Sequence, residues 1–173
     1  MPSKKLENAI NEQIQREFYS SYLYLAMSAY CEEINLDGFA HWMRIQSKEE
    51  REHAMRLFNY IHSRDGHVVL QTIAQPPSTI ASTKEMFQEV LKSEQDITGH
   101  IHALYELARQ EGDHATEVEL QWFIQEQVEE EKMAKDVLAQ LDMVGDQPAA
   151  LLMICLLYTS PRPRDATLSR MPS

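Results

Sequence analysis

The chain has 173 residues, 16 basic and 27 acidic side chains, and a formal net charge of −11. This length fits one domain with a sizeable core. Five glycines and no proline between Pro2 and Pro76 favour long helices over a sheet. The acidic balance argues against non-specific nucleic-acid binding, and it fits either attraction of cations or simply a solvated surface.

The chain begins with two long predicted helices. The first extends from about residue 3 to residue 34 and ends in the break at Asn35–Gly38. Asp37 is a plausible N-cap of the second helix. That helix continues to about Arg64 and stops at Asp65–Gly66, as helices do at a glycine.

A long irregular connection from Gly66 to Ala81 leads to two further helices. Ser82 and Glu85 have the capping-box spacing and predict the start of the third helix. Gly112–Asp113 separates the third helix from the fourth, and Gly145 ends the fourth.

The connection lengths predict how the helices are arranged. The two short links make antiparallel hairpins of helices one and two and of helices three and four. The second helix should span ~40 Å, and the long connection can reach ~50 Å if it is extended. It can therefore return along the bundle, so we expect an all-α four-helix bundle with one long crossover.

Each predicted helix carries one glutamate in the middle of an apolar stripe: Glu17, Glu50, Glu94 and Glu130. An ionised carboxylate is costly to bury unless it is paired or binds a metal. His53 follows Glu50 by one turn and adds an imidazole to the same helix face. Distances from the turns put the glutamates of helices three and four at one level, with Glu17 and His53 about one turn apart.

This set of side chains predicts a pair of metal ions inside the bundle. Carboxylates with one imidazole suit iron or manganese better than a thiolate-seeking metal. Glu50 could bridge, with Glu17 and His53 on one metal and Glu94 and Glu130 on the other. The alternative is that each glutamate lies at a stripe edge or pairs with Lys or Arg, but unpaired buried charges would oppose folding.

A second acidic group is formed by Glu49 with Glu126 and Glu129. It is either an outer cation site beside the metal pair or a solvated face, and a run of charges does not decide between them.

Several segments together resemble bacterial non-haem ferritins. They are Asn11-Glu12-Gln13, Glu17-Phe18-Tyr19-Ser20-Ser21, Glu49-Glu50-Arg51-Glu52-His53, His100-Ile101, Leu120-Gln121-Trp122-Phe123 and Glu126-Gln127-Val128-Glu129-Glu130-Glu131-Lys132. The match extends from about residue 4 to residue 153. It implies a ferritin-like four-helix bundle, a hollow 24-subunit shell, oxidation of Fe(II) by oxygen or peroxide, and storage of ferric mineral.

The resemblance also implies roles for single residues. A di-iron ferroxidase centre would use Glu17, Glu50 and His53 for one iron, and Glu50, Glu94 and Glu130 for the other. Gln127 would adjoin these ligands, Tyr24 would lie near the centre, and a third iron site would use Glu49, Glu126, Glu129 and Glu130.

Two departures from related families refine this expectation. Haem-binding relatives have a methionine where this chain has Glu52, so we expect no haem. Many di-iron oxidases repeat Glu-x-x-His in the second helix pair, whereas Ile97 and Met133 follow the glutamates here. A centre with one histidine should hold iron less tightly, which suits transit to a store.

The C-terminal segment departs from the family pattern. Ala149 to Met153 fits the start of a short fifth helix, but Ile154 and the residues after it do not. We interpret residues 1–153 as the bundle domain and residues 154–173 as a non-native or divergent tail, resembling appended linker sequence.

Two other functions remain open from the sequence: a small rubrerythrin-like di-iron oxidase or peroxidase, and a structural bundle without metal. The N-terminus lacks the apolar core of a signal peptide, and no stretch approaches the ~20 apolar residues of a membrane span. Cys31 and Cys155 do not suggest a disulfide framework. We therefore expect a cytoplasmic protein.

Overall fold

The protein is a bundle of four long helices with a fifth, short helix at one end. The structure is a computed structural model and describes residues 1–145 and 147–159. Within these residues there is no strand, and the helices are α1 Lys4–Glu33, α2 Asp37–Ser63, α3 Thr83–Gln110, α4 His114–Val144 and α5 Pro148–Leu157. The predicted all-α bundle with a short fifth helix is confirmed. No helix in this part of the chain combines the length and apolar character that crossing a membrane requires.

Side-chain caps start three of the helices. Ser3, Ser82 and Asp113 each accept a hydrogen bond from the backbone N–H three residues later. These bonds satisfy amides that a helix N-terminus leaves unpaired. The predicted start of α3 at the capping box is therefore confirmed.

The predicted N-cap of α2 is wrong. Asp37 is the first residue of the helix, and Leu36 is the cap without a side-chain hydrogen bond. The Phe39 N–H near this terminus instead donates to the buried Cys155 Sγ, 3.3 Å away. The sulfur of Cys155 in α5 thus accepts the hydrogen bond that we expected the Asp37 carboxylate to accept.

Contacts along α1 establish the directions of its neighbours. Ser21 Oγ donates to the Ser47 carbonyl at 2.6 Å, near the middle of both α1 and α2. Near the end of α1, Cys31 Sγ donates to the sulfur of Met86 at the start of α3, 3.6 Å away. Since α1 runs antiparallel to both neighbours, α2 and α3 are parallel, as the long crossover predicted.

The crossover between α2 and α3 is fastened to α1 by two buried polar side chains. Asn11 Nδ2 donates to the His67 carbonyl at 3.0 Å, and Asn11 Oδ1 accepts from Val69 N–H at 2.8 Å. Glu7 Oε2 accepts from His67 N–H at 2.9 Å. The crossover therefore begins in a defined position although it contains no helix or strand.

The apolar core is divided into two clusters along the bundle. One is built around Phe39, Trp42 and Phe87 at the α5 end, and the other around Ile10, Leu57 and Phe123 towards the opposite end. The polar level that carries the stripe glutamates lies between them.

The fifth helix crosses the predicted boundary between residues 153 and 154. It continues to Leu157, and both Ile154 and Cys155 are buried. The ring of Tyr158 packs 5.4 Å from Phe39 and 6.0 Å from Trp42 between centroids. The division into a domain and a tail stays a prediction, and residues 160–173 of that tail lie outside the described residues.

Candidate metal centre

The stripe glutamates meet inside the bundle, one from each long helix. Glu17 is fully buried, Glu50 and Glu94 are 1% exposed, and Glu130 is 2% exposed. His53 is 5% exposed. The alternative of partly solvated glutamates at stripe edges therefore does not apply to these residues.

Glu17, Glu50 and His53 form a group with the geometry of a cation site. His53 Nδ1 lies 3.6 Å from Glu50 Oε2 and 3.9 Å from Glu17 Oε2. One ligand atom from each residue lies within 4.8 Å of the others. Glu17 Oε2, Glu50 Oε1 and His53 Nδ1 are buried without a hydrogen-bond partner. Buried polar atoms rarely lack a hydrogen-bond partner, and a bound cation would satisfy all three atoms.

The carboxylates of α3 and α4 are held by hydrogen bonds from neighbouring side chains. The Tyr24 hydroxyl donates to Glu94 Oε1 at 2.5 Å, and Gln127 Nε2 donates to Glu94 Oε2 at 3.1 Å. Gln46 Nε2 donates to Glu130 Oε2 at 2.9 Å. Tyr24 and Gln127, which the resemblance implied near the centre, therefore both contact Glu94; their roles stay a prediction.

Burial and mutual repulsion make these carboxyl groups weak acids. Burial raises the pKa of Glu17 to about 8, and repulsion from Glu50 adds to the effect. Burial, followed by repulsion from Glu94 and Glu130, raises the pKa of Glu50 well above its usual range. Burial also raises the pKa of Glu94, against the hydrogen bonds from Tyr24 and Gln127. A cation entering the site would displace protons from it.

The ring of Trp122 packs against His53, the one histidine of this group, and orients its imidazole. The His53 ring meets Trp122 edge-on with centroids 5.3 Å apart. The Arg56 guanidinium covers Trp122 at 4.1 Å from the ring centroid and is itself paired with Glu119. This packing limits rotation of the His53 ring and keeps Nδ1 towards the carboxylates.

The outer acidic group is less closely assembled than the centre. Glu49 is 7% exposed, Glu126 is half-buried and Glu129 is exposed. Within the described part of the chain, it is Glu17, Glu50 and His53 whose possible ligand atoms lie close together. Glu49 does lie near enough for its charge to raise the pKa of Glu50. The third iron site stays a prediction.

Two buried amides at the centre have no assigned part in the sequence-based site. Gln13 Nε2 donates to Glu17 Oε1 at 2.7 Å, and Gln46 contacts Glu130 across the bundle. Gln13 and Gln46 each lie one turn before a stripe glutamate on the same apolar face. That periodicity was visible in the sequence, but it could not show which carboxylate each amide reaches.

Comparisons with known proteins agree with the architecture. A family profile described as a ferritin-like domain matches residues 7–144. A curated bacterial non-heme ferritin from Staphylococcus aureus (strain USA300) is 39% identical over 153 residues, covering 88% of this chain and 92% of that protein. Another, from Staphylococcus epidermidis, is 41% identical over 146 residues, covering 84% and 88% respectively.

Solved structures show the same similarity. An open pore ferritin from the hyperthermophilic archaeon Archaeoglobus fulgidus superposes with a TM-score of 0.92 at 41% identity, covering 94% of this chain and all of the other. An engineered closed form of the Archaeoglobus fulgidus ferritin gives the same TM-score at 42% identity, covering 94% of this chain and 99% of the other.

Proposed function

Because this chain belongs to the ferritin family, we propose that it stores iron, oxidising Fe(II) at the buried centre and keeping the ferric product inside a shell of identical subunits. The observation that carries the proposal is the group of unpartnered ligand atoms on Glu17, Glu50 and His53. Three such atoms lie together in one buried place, and Fe(II) binds carboxylate and imidazole ligands readily.

Fe(II) is the substrate, and the chain contributes charge, position and proton transfer. Entry of Fe(II) displaces protons from Glu17 and Glu50, whose pKa values are raised in the apoprotein. The resulting carboxylates neutralise the added positive charge. Glu50 lies between the Glu17–His53 side and the pair Glu94 and Glu130, so it is the residue suited to bridge two ions.

Each Fe(II) gives one electron to the oxidant. Two Fe(II) ions reduce O2, with two protons, to H2O2, or reduce H2O2, with two protons, to two water molecules. Tyr24 keeps Glu94 in position through its hydroxyl, and Gln127 bonds the other oxygen of the same carboxylate. Because the second helix pair offers Ile97 and Met133 instead of histidines, Fe(III) is held loosely enough to leave for the store.

The shell is part of the same proposal, with the 24-subunit count taken from the family. Its contacts would use the apolar side chains that a single subunit leaves exposed. On α5 these are Leu152, Met153, Leu156 and Leu157, and on α1 they are Tyr22 and Leu25. Patches of this kind mark interaction surfaces. We also propose a cytoplasmic location without haem; the location is supported by the free thiols of Cys31 and Cys155.

The function is tested by removing ligands from the centre. Glu50→Ala and His53→Ala should each slow aerobic Fe(II) oxidation by at least ~10-fold, because each removes a ligand that no neighbour replaces. The rate is measured by the rise of ferric absorbance after addition of Fe(II). Glu33→Ala and His62→Ala alter exposed residues outside the centre and serve as controls. Unchanged oxidation by the Glu50 and His53 variants would refute the site.

A further inference from the structure

Buried glutamine amides donate to the carboxylates of the centre in a regular pattern. The pairs are Gln13 to Glu17 (2.7 Å), Gln127 to Glu94 (3.1 Å) and Gln46 to Glu130 (2.9 Å). The fourth carboxylate, Glu50, receives none of these bonds, and its Oε1 has no hydrogen-bond partner. The amides therefore distinguish the three outer carboxylates from the one that lies between them.

We propose, resting on the proposed function, that Gln13 and Gln46 are positioning residues that each set the ligand geometry of one iron position. Gln13 would act on the position of Glu17 and His53, and Gln46 on the position of Glu130. By occupying one oxygen of its carboxylate, each amide makes that glutamate a one-oxygen ligand and leaves Glu50 to bridge.

The atoms at the first position fit this division. Gln13 engages Glu17 Oε1, and the other oxygen, Oε2, is the unpartnered atom that faces His53 Nδ1 at 3.9 Å. A carboxylate can bind a metal through one oxygen or two. With Oε1 already accepting a hydrogen bond, Glu17 presents Oε2 and resists rotation towards chelation through both oxygens.

At the second position the amide comes from a different helix. Gln46 is fully buried on α2 and reaches across to Glu130 Oε2 on α4. It is therefore fixed independently of the backbone that carries its carboxylate. Hydrogen bonds to metal-bound carboxylates orient the ligand and tune its strength, and their loss typically costs 10–100-fold in metal affinity or activity.

The two amides are separable because they lie on different helices and contact different carboxylates. Loss of one should change one metal position and spare the other, so each variant serves as the matched control for the other. If the amides only filled space in the core, their loss would lower thermal stability without a change specific to one position.

The test uses Gln13→Asn and Gln46→Asn in the full chain. Asparagine keeps a buried amide but is one methylene shorter, so it does not reach the carboxylate, and polarity in the core is preserved. The probe is Co(II), which is not oxidised under these conditions, titrated without air. Its visible absorption reports ligand number and geometry at each binding step. We expect each variant to weaken one step by ~10-fold or more and to change its spectrum, with a different step affected in each variant.

Identical titrations of both variants and the parent would overturn the inference, as would equal weakening of both steps in both variants. Failure of one variant to fold leaves the other as a complete test, because each predicts a change confined to one step. Failure of the proposed function gives a different result: the parent protein itself would neither bind two Co(II) ions nor oxidise Fe(II).

Discussion

The centre depends on buried carboxyl groups whose ionised form opposes folding unless a cation is bound. Burial raises the pKa of both Glu17 and Glu50; repulsion from Glu50 adds to the effect on Glu17, and repulsion from Glu94 and Glu130 adds to the effect on Glu50. Burial of such groups costs several kcal/mol without compensation. The metal-free subunit therefore carries a local instability that binding of Fe(II) relieves.

This instability predicts a pH dependence of the metal-free protein. The pKa of Glu17 is about 8 in the folded chain against 4.5 for the free side chain. Between these values the native state keeps a proton that the unfolded state has lost, so stability falls as pH rises through this window. Thermal unfolding in the presence of a chelator should show a lower midpoint at pH 8 than at pH 5.5.

The variant Glu17→Gln removes this titrating group while keeping its shape. It should flatten the decline of stability between pH 5.5 and pH 8. A midpoint that rises over this range in the unmodified apoprotein, or an equal decline in the variant, would contradict the assignment of the pH effect to Glu17.

At the residue scale the sequence identified the glutamates and His53 because charge inside an apolar helical stripe is unusual. It did not assign the amides of Gln13 and Gln46, because an amide on a stripe has many possible partners and spacing does not choose among them. The prediction for Asp37 failed for a related reason. The Phe39 N–H near the start of α2 bonds instead to the thiol of Cys155, which lies more than a hundred residues away in sequence.

At the scale of elements, α5 is fitted closely to the start of α2. A Cβ atom added at Gly38 would lie 1.9 Å from the carbonyl oxygen of Cys155. Ile154 and Cys155 are buried at this contact. The backbone of α5 therefore approaches α2 at a place where only glycine leaves enough room.

Substitution of this glycine should displace the fifth helix. Gly38→Ala is expected to lower stability by ~1–3 kcal/mol and to loosen α5, seen as a lower unfolding midpoint and faster amide exchange in residues 148–157. Gly99→Ala is the matched control, since a Cβ at residue 99 meets nothing within 4 Å. Alanine in place of this helical glycine should favour the helix by up to ~1 kcal/mol. Equal midpoints for the two variants would show that α5 does not pack against Gly38.

Most of the elements were predictable because their signals are local. Caps, glycine breaks and the long connection gave four helices and their directions. The end of the fifth helix was not predictable in the same way. Ile154, Cys155 and Tyr158 carry no family pattern. The Tyr158 ring nevertheless packs on Phe39 and Trp42, and Ile154 and Cys155 belong to the same buried cluster. Only these tertiary contacts show that this part of the tail can continue the helix.

At the scale of the whole molecule, the proposed storage of iron depends on assembly of several subunits. The proposed shell would bury the exposed apolar side chains of α1 and α5, and it would enclose the space in which mineral collects. Fold and site follow from one chain, whereas storage depends on how many copies assemble. The unusual C-terminal segment bears on this step, because α5 carries four of the exposed apolar residues.

The most direct test joins assembly with chemistry in one measurement. Fe(II) is added in air at many ions per chain, and the product is separated by size-exclusion chromatography with detection of both protein and iron. We expect a very large assembly that co-elutes with ferric mineral, and the Glu50→Ala protein should assemble to the same size but oxidise iron slowly. A small species that turns over Fe(II) without retaining iron would contradict iron storage.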